Sequence, residues 1–297
     1  MSRWFVIAVP LILTDVLAAQ SLSPALKAVV DTERAFARAS VEHGQREAFL
    51  TYLADDGITF SPAPGRGKRS IRKRAAPANP KAPLLNWAPM TGGVSSSGDL
   101  GFTTGPFVFE DRSGTARPPQ HGMYFTIWKK QRGGEFRAVL DLGIQLDAPV
   151  APVESVSFTP MSGVGTGSGA PVKELNAQKE SLRDADRAFF EAARARGLAD
   201  AAREHVRDDA RLHRNGRMPI VGREAIDRYL RESEGRFSGR SMFADVSGAG
   251  DLGYTYGRYE RAREGASEKG YYARLWTRDP GGRWKVLLEV TSPVPAS

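Results

Sequence analysis

The chain has 297 residues, 41% of them hydrophobic and 26% charged. That balance suits folded globular units, about two at roughly 100–200 residues each, and excludes a wholly disordered or fibrous chain. With no Cys and four His, a disulfide framework, a thiolate nucleophile and a cysteine-bound zinc site are excluded, and a histidine metal cluster has little to draw on. The 42 basic residues outnumber the 34 acidic ones, but the excess is concentrated. Arg66, Lys68, Arg69, Arg72, Lys73, Arg74 and Lys81 fall between Gly65 and Lys81 with no acid among them. A nucleic-acid-binding face would be basic more broadly.

The N-terminus reads as an export signal. Arg3 precedes an apolar run from Trp4 to Leu13, followed by small residues at Ala18 and Ala19. The run is too short to span about 30 Å of hydrocarbon. No other stretch is long and apolar enough, so no transmembrane segment is expected. A signal peptide over residues 1–20 and a secreted or periplasmic mature chain follow, with an apolar N-terminal helix kept on the domain as the alternative.

The chain then repeats itself. Asp31, Arg34, Ala35 and Phe36 recur as Asp184, Arg187, Ala188 and Phe189 at an offset of 153 residues. Gly44 meets Gly197, and Asp55-Asp56 meets Asp208-Asp209, at the same offset. Gly98-Asp99-Leu100-Gly101 meets Gly250-Asp251-Leu252-Gly253 at 152, and Gly122, Tyr124 and Trp128 meet Gly270, Tyr272 and Trp276 at 148. So ordered a set of anchors implies one domain duplicated, with units at 21–150 and 173–297. Between them, residues 151–172 include the run Ser162–Gly169, rich in Gly and Ser, which reads as a flexible linker.

Each unit opens with a helical stripe. Leu182, Ala185, Phe189, Ala192 and Ala193 recur at helical spacing before Gly197 stops the helix, and Val29, Phe36 and Ala39 do so before Gly44. A second short helix is expected over 198–206. A third is expected over 222–230, which in the first unit shrinks to 67–71 before Pro77, Pro80 and Pro83. Strands follow at 101–109, 124–130 and 136–145, with counterparts at 253–261, 271–278 and 284–291. Gly133-Gly134 and Gly281-Gly282 supply hairpin turns. The class is α+β: two tandem cone-shaped domains, each with about three N-terminal helices packed on a curved antiparallel sheet.

Taken together, the helices, the Asp pair, the Gly-Asp-Leu-Gly segment and the Gly-x-Tyr-x-x-x-Trp strand give each unit an order that resembles the nuclear transport factor 2-like family. The branch is the one near SnoaL-like, ketosteroid-isomerase-like and calcium/calmodulin kinase association-domain proteins. The resemblance implies a cone fold with an interior pocket, and says little about activity, since the fold hosts both enzymes and binding modules. A ketosteroid isomerase would place a base Asp where this sequence has Ser61 and Arg214. Its oxyanion partners would fall at Phe36 and Phe189 on the first helix, and at Thr126 and Arg274 on a late strand. That activity is therefore not carried over, and no catalytic set, cofactor or metal is assigned.

Several candidates keep two readings. His213 is a general base in the second pocket or a surface His. Asp55-Asp56 and Asp208-Asp209 are a metal pair or a helix-ending turn. Trp87, Tyr124 and Trp128, with Phe243, Tyr272 and Trp276, are sheet-to-helix packing or the wall of an apolar pocket. The basic run is a solvated mobile loop, an anionic-surface contact or, least suited for want of aromatics, a nucleic-acid contact. Function is expected in the second unit, where His213, Arg214, Tyr256 and Arg274 replace Phe60, Ser61, Thr104 and Thr126. Arg214 and Arg274 would hold the carboxylate of an apolar ligand, or Arg214 would pair with Glu289 or Asp227. The expected role is small-molecule binding or association, with an acid–base isomerase or lyase using His213 as the alternative. The two units are expected to pair through their sheets as an intramolecular pseudo-dimer.

Overall fold

A computed structural model describes residues 22–295 apart from 113, 115, 116, 150, 151, 234 and 264. The expected signal peptide lies outside the described residues. The chain opens with α1 (Pro24–His43), capped by the Ser23 hydroxyl, which accepts from the Leu26 N–H at 3.3 Å. Then come α2 (Gln45–Tyr52), β1 (Leu53–Ser61), β2 (Ala63–Arg66) and α3 (Gly67–Lys73). Strands β3 (Pro83–Trp87), β4 (Thr91–Val94), β5 (Leu100–Asp111), β6 (Gln120–Lys130) and β7 (Phe136–Leu146) complete the first unit.

The same order returns in the second unit. It runs through α4 (Leu175–Arg196), α5 (Leu198–His205), β9 (Val206–His213), β10 (Ile220–Val221), α6 (Arg223–Glu232), β11 (Arg236–Val246), β12 (Leu252–Arg263), β13 (Ala266–Arg278) and β14 (Trp284–Pro293). The two sheets run β2-β1-β7-β6-β5-β4 and β10-β9-β14-β13-β12-β11, with β3 also pairing β5. The sheets are not wholly antiparallel as expected. The first strand of each unit returns beside the last in parallel, β1 on β7 and β9 on β14.

The Asp pairs are not helix-ending turns. They lie within β1 and β9, where the register shifts between Leu53 and Ile58 and between Val206 and Arg211. The bulge aims them at neighbours: Asp55 takes Lys68 at 2.8 Å, Asp208 pairs with Arg223, and Asp209 takes Arg207 at 2.8 Å. Among the described residues no cluster of three metal-ligating side chains forms.

The segment between the units is docked, not free. Thr159–Pro160 forms β8, parallel to β4; the Thr159 N–H donates to the Met90 carbonyl and the Met161 N–H to the Gly92 carbonyl. The basic segment is likewise half structured. Residues 67–73 are α3, and its Ile71 packs against the apolar cluster beneath α1.

Each sheet has two faces. One, against its helices, carries Tyr124, Thr126 and Trp128 on β6, and Tyr272, Arg274 and Trp276 on β13. The other contributes Met123, Phe125, Ile127, Ala273 and Leu275 to an apolar cluster drawn from both sheets. Two loops cross above it. The Asp99 carboxylate accepts from the Gly248 N–H at 2.8 Å, and the Asp251 carboxylate from the Ser96 N–H at 2.9 Å.

Candidate functional site

The repeat places one carboxylate inside each unit on its first helix. Glu33 and Asp186 are both fully buried. Glu33 accepts from Trp87 Nε1 at 2.6 Å, Trp128 Nε1 at 2.9 Å and the Thr103 hydroxyl. Burial raises its pKa to about 7 against the pull of those bonds. Asp186 accepts from Arg274 Nη1 at 2.9 Å, Thr255 Oγ1 at 3.2 Å and the Tyr272 hydroxyl.

A second carboxylate sits on the last strand. Asp141 faces Thr126 across the β6–β7 pair, and Glu289 faces Arg274 across β13–β14. Their surroundings differ. Glu289 accepts from Arg274 Nε at 2.6 Å and from Arg214 Nη2. Burial would raise Glu289, but the two guanidinium groups outweigh it and hold its pKa at about 2. Among the described residues Asp141 accepts a single hydrogen bond, from Thr126 Oγ1 at 2.8 Å. Burial raises it to about 6, the bond from Thr126 opposing.

The second unit is filled by its own side chains. The Arg274 guanidinium is wholly buried and lies 3.8 Å from the Phe189 ring centre, 4.5 Å from Phe190 and 4.6 Å from Tyr272. Phe237 stacks between Phe190 and Tyr259, at centroid distances of 5.6 and 5.4 Å. The expectation of an anion site at Arg214 and Arg274 is therefore corrected. Both cations are neutralised internally by Glu289 and Asp186, which leaves a ligand carboxylate no charge to answer.

The other second-unit candidates also fall away from an open site. His213 is fully buried, neither ring nitrogen has a hydrogen-bond partner, and burial together with Arg211 and Arg214 lowers its pKa to about 3. It is neither a surface residue nor a base working near neutrality. Tyr256 stacks on Phe243 at 5.3 Å and meets Phe60 of the first unit edge-on at 6.1 Å, within the inter-sheet cluster. Trp276 is buried with its Nε1 donating to Thr255 Oγ1 at 2.9 Å. Asp227 pairs with Arg203 and Arg231, not with Arg214.

The open space is in the first unit. A cavity of about 670 Å³ is lined by Phe49, Leu85, Trp87, Phe107, Tyr124 and Asp141, with Ser61, Arg46 and Arg74 also on its wall. Three positions carry smaller side chains in the first unit than in the second. Leu85 occupies the place of Phe237: Leu85 pairs with Phe109 on β5, and Phe237 with Arg261 on β12. Thr126 stands for Arg274 and Ser61 for Arg214. Gly122 lets the Phe107 ring lie flat on the sheet; a Cβ there would fall 2.1 Å from that ring. Of the aromatics expected to line a pocket, Trp87 and Tyr124 do so, whereas Trp128 is buried beneath them.

Sequence reasoning missed Glu33, Asp141, Asp186 and the cavity's location. A signal for the first was present: Glu33 falls on the same helical stripe as Val29, Val30 and Phe36, where an acid is out of place unless paired.

No family model matches the chain, and no curated protein matches it in sequence. Among solved structures it is similar to a ketosteroid isomerase-like protein from Erwinia carotovora atroseptica, at 19% identity over 42% of this chain and 98% of that one, with a TM-score of 0.35. It is also similar to an NTF2-like protein of unknown function from Shewanella oneidensis, at 15% identity over 38% and 96%, with a TM-score of 0.33. A third is an LEH-like epoxide hydrolase from M. tuberculosis, at 17% identity over 38% and 79%, with a TM-score of 0.31.

Proposed function

We propose that this chain binds a small, largely apolar molecule in the cavity of its first unit, while the second unit serves as a solid, non-binding partner. The observation that carries this reading is the contrast at equivalent positions: about 670 Å³ walled by Trp87, Tyr124 and Phe107 in the first unit, against a packed interior around Arg274 in the second. A concave wall that joins aromatic faces to polar groups such as Ser61 and Asp141 suits a drug-sized ligand. Native mass spectrometry of the purified protein tests it. A bound small molecule is expected in the wild type and absent from Leu85→Trp, which fills the cavity. Spectra that show the bare chain in both would overturn the reading.

Acid–base catalysis is the second reading, and Asp141 favours it. A carboxyl held at about 6 on a cavity wall can take and return a proton near neutral pH. Loss of turnover in Asp141→Asn, with ligand retained, would support catalysis over binding.

Two further parts of the reading concern the whole chain. The units pair through the inter-sheet cluster as an intramolecular pseudo-dimer, so light scattering should give the mass of a single chain. The chain is exported, and the intact mass of the secreted product should place its first residue near Ala19 to Ser21.

A further inference from the structure

The second unit shows what its fold holds around the last-strand carboxylate. Glu289 is gripped by two guanidinium groups, those of Arg274 and Arg214. The Arg274 group is also enclosed by aromatic faces, those of Phe189, Phe190 and Tyr272, as a buried cation requires both counter-charge and polarisable walls.

The first unit keeps that shell and loses both cations. Asp141 stands for Glu289, Tyr124 for Tyr272 and Phe36 for Phe189. Trp87, on the strand position of Gly239, fills the place of Phe190: its ring lies 4.8 Å from Phe36, and a Cβ on Gly239 would fall 2.5 Å from the Phe190 ring. Thr126 and Ser61, at the places of the two arginines, are short and uncharged. The cavity opens beside them, with Asp141, Trp87 and Tyr124 on its wall.

Resting on the reading of this cavity as a small-molecule site, we infer that its ligand is an organic cation: an amidinium, guanidinium or protonated amine on an apolar body, with its charged head on Asp141. The head takes the place that the Arg274 guanidinium holds in the second unit. Bidentate contact is open to an amidinium, because among the described residues Asp141 Oδ1 accepts no hydrogen bond and Oδ2 accepts one, from Thr126.

The other charged groups near the cavity do not compete for the head. Glu33 lies deeper, its oxygens taken by two indole N–H groups and a hydroxyl. Arg46 donates to the carbonyl oxygens of Ile71 and Arg74, at 2.5 and 3.1 Å. Arg74 is on the exposed rim.

Calorimetric titration of the full chain at pH 8 with benzamidine, benzamide and benzoate tests the inference. The three probes share a shape and differ in charge, and at that pH Asp141 is a carboxylate. Benzamidine is expected to bind at least tenfold more tightly than either other probe. Asp141→Asn is expected to erase that preference, and Thr126→Arg to abolish benzamidine binding by supplying an internal guanidinium. Benzamide or benzoate binding as well as benzamidine, or a preference that survives Asp141→Asn, would overturn the cation and leave the cavity reading standing. No heat from any of the three at millimolar concentration would overturn both.

Discussion

Buried carboxylates decide the character of each unit, and their partners differ enough to be tested one residue at a time. Arg274 bridges Asp186 and Glu289. Arg274→Met keeps most of its volume but leaves Asp186 without its cation and Glu289 with Arg214 alone. Breaking a buried pair from one side costs about 3–5 kcal/mol, so urea unfolding of this variant should show a loss of that order. An unchanged midpoint would mean that the network is not formed as described.

Glu33 makes a separate prediction about pH. Its pKa is raised from 4.5 to about 7 in the folded chain, so between those values the folded state binds more protons than the unfolded one. The stability it contributes is complete below about pH 4.5 and is lost as pH rises through 7, roughly 3 kcal/mol for that span. Glu289 acts in the opposite sense, since its pKa is lowered to about 2. Its contribution is present above about pH 4.5 and is lost on acidification. Thermal melts from pH 5 to 8 should therefore fall more steeply for the wild type than for Glu33→Gln, and equal slopes would refute the assignment. Glu33 was legible only as an acid set on the apolar stripe of α1, and Asp141 was not legible at all. On β7, Asp141 alternates with Leu140 and Leu142 as any polar-out residue would, and nothing local says that its face is turned inward.

Long, strongly patterned elements were legible almost to their ends. The strands expected at 101–109 and 124–130 are Leu100–Asp111 and Gln120–Lys130, and the helix stops at Gly44 and Gly197 occur with φ of 92° and 91°. Short elements were not, because tertiary contacts make them. β4 and β8 exist only as partners in the first sheet, and a Gly/Ser-rich sequence carries no strand pattern of its own. Residues 151–172 read as a linker because composition reports chain entropy and not the sheet edge waiting for it. That edge contact is testable. Met161→Pro removes the N–H that donates to the Gly92 carbonyl, and limited proteolysis should then cut within 152–171 faster than in the wild type. A cleavage pattern unchanged by the substitution would show that the strap is not held by this bond.

At the scale of the whole molecule, the two units differ in how their interiors are filled. One unit keeps an interior open and the other closes its own with charge, so a lone repeat tells little about which is which until the substitutions at 61, 85 and 126 are compared with 214, 237 and 274. Both sheets contribute to one apolar cluster. The first sheet gives it Leu100, Phe102, Met123, Phe125, Ile127 and Leu140, all buried, and the second gives Leu252, Leu275, Leu288 and Val290 among others. Cut away from its neighbour, either sheet would present that face to water. Burying a Leu, Ile, Met or Phe side chain is worth about 1.5–3 kcal/mol, so six such residues contribute on the order of the roughly 4–15 kcal/mol that association costs. The loops above the cluster reinforce the match, since Asp99 and Asp251 each accept a backbone N–H from the opposite unit, and two copies of one unit could repeat that exchange. A fragment of residues 22–149 should therefore pair with itself, giving twice its own mass by light scattering while the full chain gives the mass of one. Substituting Phe125→Asp in the fragment should return it to a monomer. A wild-type fragment that is monomeric and soluble at tens of micromolar would show that the inter-sheet face does not drive assembly.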